Sequence, residues 1–163
     1  MIFGGQAVLL YGDVRLTEDI DVTLALSPYD AEPFIAVLAN AGFKVLVDDP
    51  SAFLRETFVL PVLDPDSDIR IDLVFTSSEY ERQAIDRATI VLIDGAPVAY
   101  ISKEDLVVVK TIAGRARDLD DIKSVLDRQV LDQEYIRGWL KQFDAELGEN
   151  YEARFLALTG GPR

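Results

Sequence analysis

Two acids one residue apart, Asp19 and Asp21, are the first groups in the chain with chemistry to offer. They fall in a stretch where Ile20, Val22, Leu24 and Leu26 alternate with Asp19, Asp21 and Thr23. That period reads as a strand whose side chains point alternately to opposite faces, so both carboxylates share one face. Neighbouring like charges repel, and a hard divalent cation, which prefers carboxylate oxygens, relieves that repulsion. The spacing fits a solvated strand face equally well. Upstream, Gly4-Gly5 opens the apolar run Ala7-Val8-Leu9-Leu10-Tyr11, which stops at Gly12. This reads as a short helix with glycines at its start, where free N–H groups attract anions and a phosphate can come close to the backbone. A flexible entry into a helix is the plain alternative. A phosphate cradle followed by a metal-binding acid pair suits a nucleoside triphosphate.

A third acid lies on a later strand, 69–75, where Ile71, Leu73 and Phe75 line one face and Arg70 and Asp72 the other. An aspartate inside an apolar strand is costly unless it is exposed, paired or bound to a metal. If this strand lies beside 19–26 with the apolar faces together, Asp72 joins Asp19 and Asp21. The competing reading is an Arg70–Asp72 surface ion pair, which adds little stability.

Composition narrows the chemistry. The 163 residues include no histidine and no cysteine, so Ser-His-Asp and Cys-His centres are excluded, as are zinc sites of the His/Cys type. A general base must be a carboxylate, lysine or tyrosine. A bound metal must be held by oxygen, which favours magnesium, manganese or calcium. The net charge of −13 opposes broad non-specific nucleic-acid binding. No apolar run reaches the roughly 18 residues of a membrane span, and Met1-Ile2-Phe3-Gly4-Gly5 lacks a basic leader region. The expectation is a cytoplasmic protein with no membrane partner.

The elements that must position these groups follow in order. A helix is expected over 29–41 with Gly42 as its stop, then a short strand over 43–47 and a turn at 48–50. Residues 51–63 are ambiguous: 55–60 have strand-like composition, and Pro61 points to an edge or a strand end. Residues 64–68 form a loop. A helix over 77–87 is capped by Ser77 or Ser78. Strands 89–93 and 97–101 flank the hairpin signal Asp94-Gly95. Ser102 caps a helix carrying Leu106, Val109, Lys110 and Ala113 that breaks near Gly114. Helices follow over 118–128, from 132 or 133 to 147, and over 149–158, with a fraying tail at 159–163. The fold class is α/β (α+β): a core over 1–101 and a helical region over 102–163 packed on it. Trp139 and Phe143 belong to the core stripe of their helix, or form an interface.

Taken together, Gly4-Gly5, the run Arg15-Leu16-Thr17-Glu18-Asp19-Ile20-Asp21-Val22 and Asp72 resemble the polymerase-β-like nucleotidyltransferase superfamily. The Arg15-x-Thr17-x-Asp19-Ile20-Asp21 form is similar to AbiEii/AbiGii-type toxins and their relatives. The block Lys110-Thr111-Ile112-Ala113-Gly114-Arg115-Ala116-Arg117-Asp118-Leu119-Asp120-Asp121-Ile122 resembles a second helix motif of the same group. The resemblance implies a nucleotidyl transfer from an NTP to a hydroxyl acceptor, with Mg2+ or Mn2+ as cofactor. Asp19, Asp21 and Asp72 would hold the metal and act as the catalytic acids. Gly4, Gly5, Arg15, Thr17, Lys110 and Asp118 would bind the nucleotide, with Thr17 also able to hold the turn. Asp118 and Asp121 would orient Lys110 or Arg15. The acceptor stays open among a tRNA end, a protein hydroxyl and a small alcohol. A cognate antitoxin is a further expected partner. Relatives carry a helix and a full strand before the glycine pair, so a start upstream of Met1, or a lost edge, is expected. A degenerate binding protein of the same fold, or a toxin–antitoxin component acting through a protein complex, are the alternatives.

Overall fold

Strand alternation sets the sheet, and its register brings the acids together. The computed structural model describes residues 1–160. Among these, a seven-stranded sheet runs in the order β3-β4-β5-β2-β1-β7-β6. Its strands are β1 (Ile2–Phe3), β2 (Asp19–Leu24), β3 (Lys44–Val45), β4 (Val59–Asp64), β5 (Ile69–Phe75), β6 (Thr89–Ile93) and β7 (Ala96–Tyr100). The pairs β2–β5 and β1–β7 are parallel, and the remaining pairs are antiparallel. The mixed α/β class is as expected from the sequence.

Two compact units divide the chain. The first holds Met1–Gln6 and Leu16–Ile101, and the second holds Ala7–Arg15 and the chain from Ser102 onward. Residues 7–15 group with the helices that follow Ile101. Contacts within the second unit account for this. Gln129 donates to the Tyr11 carbonyl, the Asp13 N–H donates to the Ser124 hydroxyl, and Arg15 pairs with Asp121.

In the first unit, the apolar face of the sheet is covered locally by its own helices. These are α2 (Glu32–Asn40), preceded by a 3-10 turn at Pro28–Asp30, and α3 (Pro50–Thr57), while α4 (Glu79–Asp86) follows β5. Leu54, Leu60, Val62, Leu73 and Phe75 form the buried cluster, with Val22, Leu24, Phe34 and Ile71 packed against it. Hence the apolar positions of β2 and β5 turn to one core, and their acids turn to the other face.

Two expectations need correction. Residues 55–57 end helix α3 rather than starting a strand: Asp49 caps that helix by accepting from the Ala52 N–H, and Phe58, at φ +60°, terminates it. Pro61 lies in the middle of β4, not at a strand end or sheet edge. Its carbonyl accepts from the Leu46 N–H, so its polar edge faces β3, which pairs only at Lys44 and Val45. The missing N–H therefore removes nothing from the β4–β5 ladder. Ser78 and Glu81 close a capping box at the start of α4. The Asp94-Gly95 hairpin joins β6 and β7 as expected.

The second unit contains α5 (Lys103–Ala113), α6 (Ala116–Arg128), α7 (Gln133–Leu147) and α8 (Tyr151–Thr159). It also holds most of α1 (Gly4–Tyr11). Ser102 caps α5, and the buried Asp105 carboxylate accepts from the Ser102 and Tyr135 hydroxyls, both at 2.6 Å. Trp139 and Phe143, both half-buried, contact each other on α7. Of the tail expected at 159–163, Thr159 belongs to α8 and residues 161–163 lie outside the described residues. Among the described residues, no helix is long and apolar enough to cross a membrane.

Candidate active site

β2 and β5 run parallel with Asp21 opposite Asp72 and Asp19 opposite Arg70. Residues directly opposite on neighbouring strands share a face, so four charged side chains gather on the face away from the apolar core. Each of Asp19, Asp21 and Asp72 offers a carboxylate oxygen, and these oxygens lie within 4.8 Å of one another. All three acids are half-buried. The donor set is entirely carboxylate oxygen, which suits a hard ion such as Mg2+ or Mn2+ and does not suit a soft one. The residues therefore fit a divalent cation.

Arg70 neutralises part of this cluster. Its Nε donates to Asp72 Oδ1 at 2.9 Å and its Nη2 to Oδ2 at 3.1 Å. Asp72, by hydrogen bond and charge, and then Asp19 and Asp21 at longer range, raise the guanidinium above its ordinary value. The ion pair and the acid cluster, set against each other as alternatives in the sequence, coexist.

Gly4 has a tighter task than entering a helix. Its φ is +60°, and a Cβ placed there would lie 1.8 Å from Asp21 Oδ2. Phe3 is the register partner of Asp21 across β1–β2. The first residue of α1 thus lies directly against the Asp21 carboxylate, a contact that the glycine pair did not reveal by itself. Thr17, expected near the nucleotide, has its hydroxyl 3.2 Å from the Asp19 carbonyl and 3.3 Å from Asp19 Oδ1. It donates within this turn and steadies Asp19.

The remaining residues of the motif lie in the second unit, where they form a chain of alternating charge. Arg115 donates to Asp118, and Lys110 donates to Asp118 at 3.1 Å and to Asp121 at 2.7 Å. Asp121 in turn accepts a two-pronged bond from Arg15 at 2.9 and 3.0 Å. Lys110, Asp118 and Asp121 are buried, and burial without partners would be costly for all three. Burial disfavours the Asp118 carboxylate, but hydrogen bonds and charge from Arg115 and Lys110 outweigh it and hold the group below its ordinary value. Lys110 and Asp118, expected at the nucleotide, bond each other, with Lys110 also bonding Asp121 and Asp118 also bonding Arg115. Asp121, named in the sequence as an orienting group, is the acceptor shared by Lys110 and Arg15.

The sequence profile of the family described as "Nucleotidyltransferase of unknown function (DUF6036)" matches residues 1–159. The chain has no significant match among curated proteins. Among solved structures it is similar to an antigenic nucleotidyltransferase-like protein from Paracoccidioides brasiliensis, at 18% identity and a TM-score of 0.48. That alignment covers 77% of this chain and 64% of the other, so the chain spans less than two thirds of that protein's length.

Proposed function

The chain belongs to this DUF6036 nucleotidyltransferase family, and from that premise we propose that it transfers a nucleoside monophosphate from an NTP to a hydroxyl acceptor, using Mg2+ or Mn2+. The observation that carries the reading is the convergence of Asp19, Asp21 and Asp72 within 4.8 Å. Those three residues would hold the ion. A divalent ion in such a site neutralises phosphate charge and makes the acceptor hydroxyl easier to deprotonate. Asp72 takes that proton at a carboxylate oxygen once Arg70 has released it. Asp21, placed by the close approach of Gly4, and Asp19, steadied by Thr17, keep their oxygens aimed at the same point. The N–H groups at the start of α1, at Gly4 and Gly5, receive phosphate oxygens. The new ester bond forms at the α-phosphorus as the bond to pyrophosphate breaks, and pyrophosphate leaves with the electron pair.

For Arg15, Lys110 and Asp118, the assignment to the triphosphate rests on the sequence motif. Within the second unit, Lys110 and Asp118 support a positioning role, in which Asp121 is held in place and in turn holds Arg15. The resemblance of Arg15-x-Thr17-x-Asp19-Ile20-Asp21 to AbiEii/AbiGii-type toxins supports a toxin role with a cognate antitoxin as partner.

The test is label transfer. The protein is incubated with Mg2+ or Mn2+ and each α-labelled NTP in the presence of total RNA, total protein or small alcohols. It is compared with Asp19→Ala/Asp21→Ala. Transfer that falls by at least about 100-fold in the variant is expected, the scale for losing charge stabilisation at a reacting group. Metal-dependent nucleotide binding with no transfer to any acceptor would refute the enzymatic reading and leave a binding protein of the same fold.

A further inference from the structure

We propose that Arg70 is a tethered counter-cation that must let go of Asp72 before a divalent ion can bind, so that this one side chain sets how much metal the site requires. The inference rests on the reading of Asp19, Asp21 and Asp72 as an ion site. Arg70 and Asp72 are two residues apart on β5, hence on one face, and the register puts Arg70 opposite Asp19. Asp72 has two carboxylate oxygens, and both accept from the guanidinium, at 2.9 and 3.1 Å. Whichever oxygen Asp72 offers to the cluster is therefore already bonded to a cation. An arriving ion meets a positive charge fixed beside its third ligand.

The pair is built to open. The Arg70 side chain is 53% exposed, whereas that of Asp72 is 18% exposed. The arginine can swing into water while the aspartate stays in place. Ion pairs with an exposed partner are weak, so release costs little. The consequence is a competition. With Arg70 on Asp72, three crowded carboxylates are partly neutralised and the fold is tolerable without metal. With the ion bound, Arg70 is free to face solvent or an incoming phosphate. If the guanidinium stays about 5 Å from the ion in water-like surroundings, their repulsion amounts to on the order of a tenfold loss of affinity.

The test measures the metal alone. Mn2+ is titrated into the full chain and free Mn2+ is followed by its EPR signal, for the wild type, Arg70→Gln, Arg70→Lys and Asp21→Asn. Thermal unfolding is recorded for each with and without Mn2+. Arg70→Gln should bind Mn2+ about tenfold more tightly, the size of the repulsion removed. It should also unfold at a lower temperature without Mn2+ and gain more from its addition, because an ion that binds the native state stabilises it in proportion to its affinity. Arg70→Lys keeps the charge, and with it most of the repulsion, but cannot grip both oxygens, so its Mn2+ affinity should fall between those of the wild type and Arg70→Gln. Unchanged or weaker Mn2+ binding in both Arg70 variants, with Asp21-dependent binding intact in the wild type, overturns the role of Arg70 alone. No saturable, Asp21-dependent Mn2+ binding in any of the proteins overturns the ion site as well.

Discussion

Replacing Gly4 with alanine should damage the protein twice, and the two effects can be measured apart. The backbone at Gly4 has φ +60°, and a Cβ there would lie 1.8 Å from Asp21 Oδ2, 2.7 Å from its Cγ and 3.1 Å from its Cβ. A left-handed conformation costs an alanine about 1–2 kcal/mol. Forcing a methyl into occupied space costs about 1–3 kcal/mol more. Because the Asp21 Cβ is itself within 3.1 Å, a rotation of the carboxylate alone does not clear the site. The expected loss is thus about 3 kcal/mol in total. Gly42→Ala supplies the reference: its φ is +91° and nothing lies within 4 Å of the added Cβ, so it carries the conformational term only, about 1 kcal/mol. Urea unfolding of the two variants should therefore differ by about 2 kcal/mol. Asp21→Ala, which removes the oxygen and the Cγ, should recover much of that difference when combined with Gly4→Ala, and a double-mutant cycle reads this as a favourable coupling. Gly4→Ala losing no more stability than Gly42→Ala, or additive effects of Gly4→Ala and Asp21→Ala, would refute the claim that Gly4 exists to admit Asp21.

Two further outcomes follow from the second unit. Lys110→Met leaves two buried carboxylates that keep Arg115 and Arg15 as counter-charges. It should cost about 3 kcal/mol in urea unfolding, the low end for breaking a buried pair, and a loss under about 1 kcal/mol would show that Arg15 and Arg115 suffice. The Asp118 carboxyl is held below its ordinary value, so its contribution is fully present above the unfolded value, about 3.9, and is lost as pH falls through the folded value. The stability gap between wild type and Asp118→Asn should stay constant from pH 7 down to about 4 and narrow below it. A gap that widens on acidification would reverse the assigned sign.

Local pattern carried a large share of the fold. The alternation at 19–24 and 69–75, the Asp94-Gly95 turn, and the Ser78 and Ser102 caps each involve neighbours within a few residues, so their spacing is visible in the chain. Where two local preferences competed, the sequence left the outcome open. Residues 55–57 have strand-like types but stay helical because Asp49 caps α3 and Phe58 takes the left-handed stop. Pro61 sits mid-strand because β3 is too short to need its N–H.

The sequence by itself determined which residues bear charge on which strand face, since a period of two is a property of the backbone. Only the tertiary structure decided that β2 and β5 are neighbours, that they run parallel, and that Asp21 stands opposite Asp72; a slip of one residue would have put that carboxylate in the core. The same holds for the coexistence of the Arg70–Asp72 pair with the acid cluster, the approach of Gly4 to Asp21, and the sharing of Asp121 between Lys110 and Arg15. The last two join residues far apart in the chain, and all three are matters of ångströms that spacing along a chain does not encode.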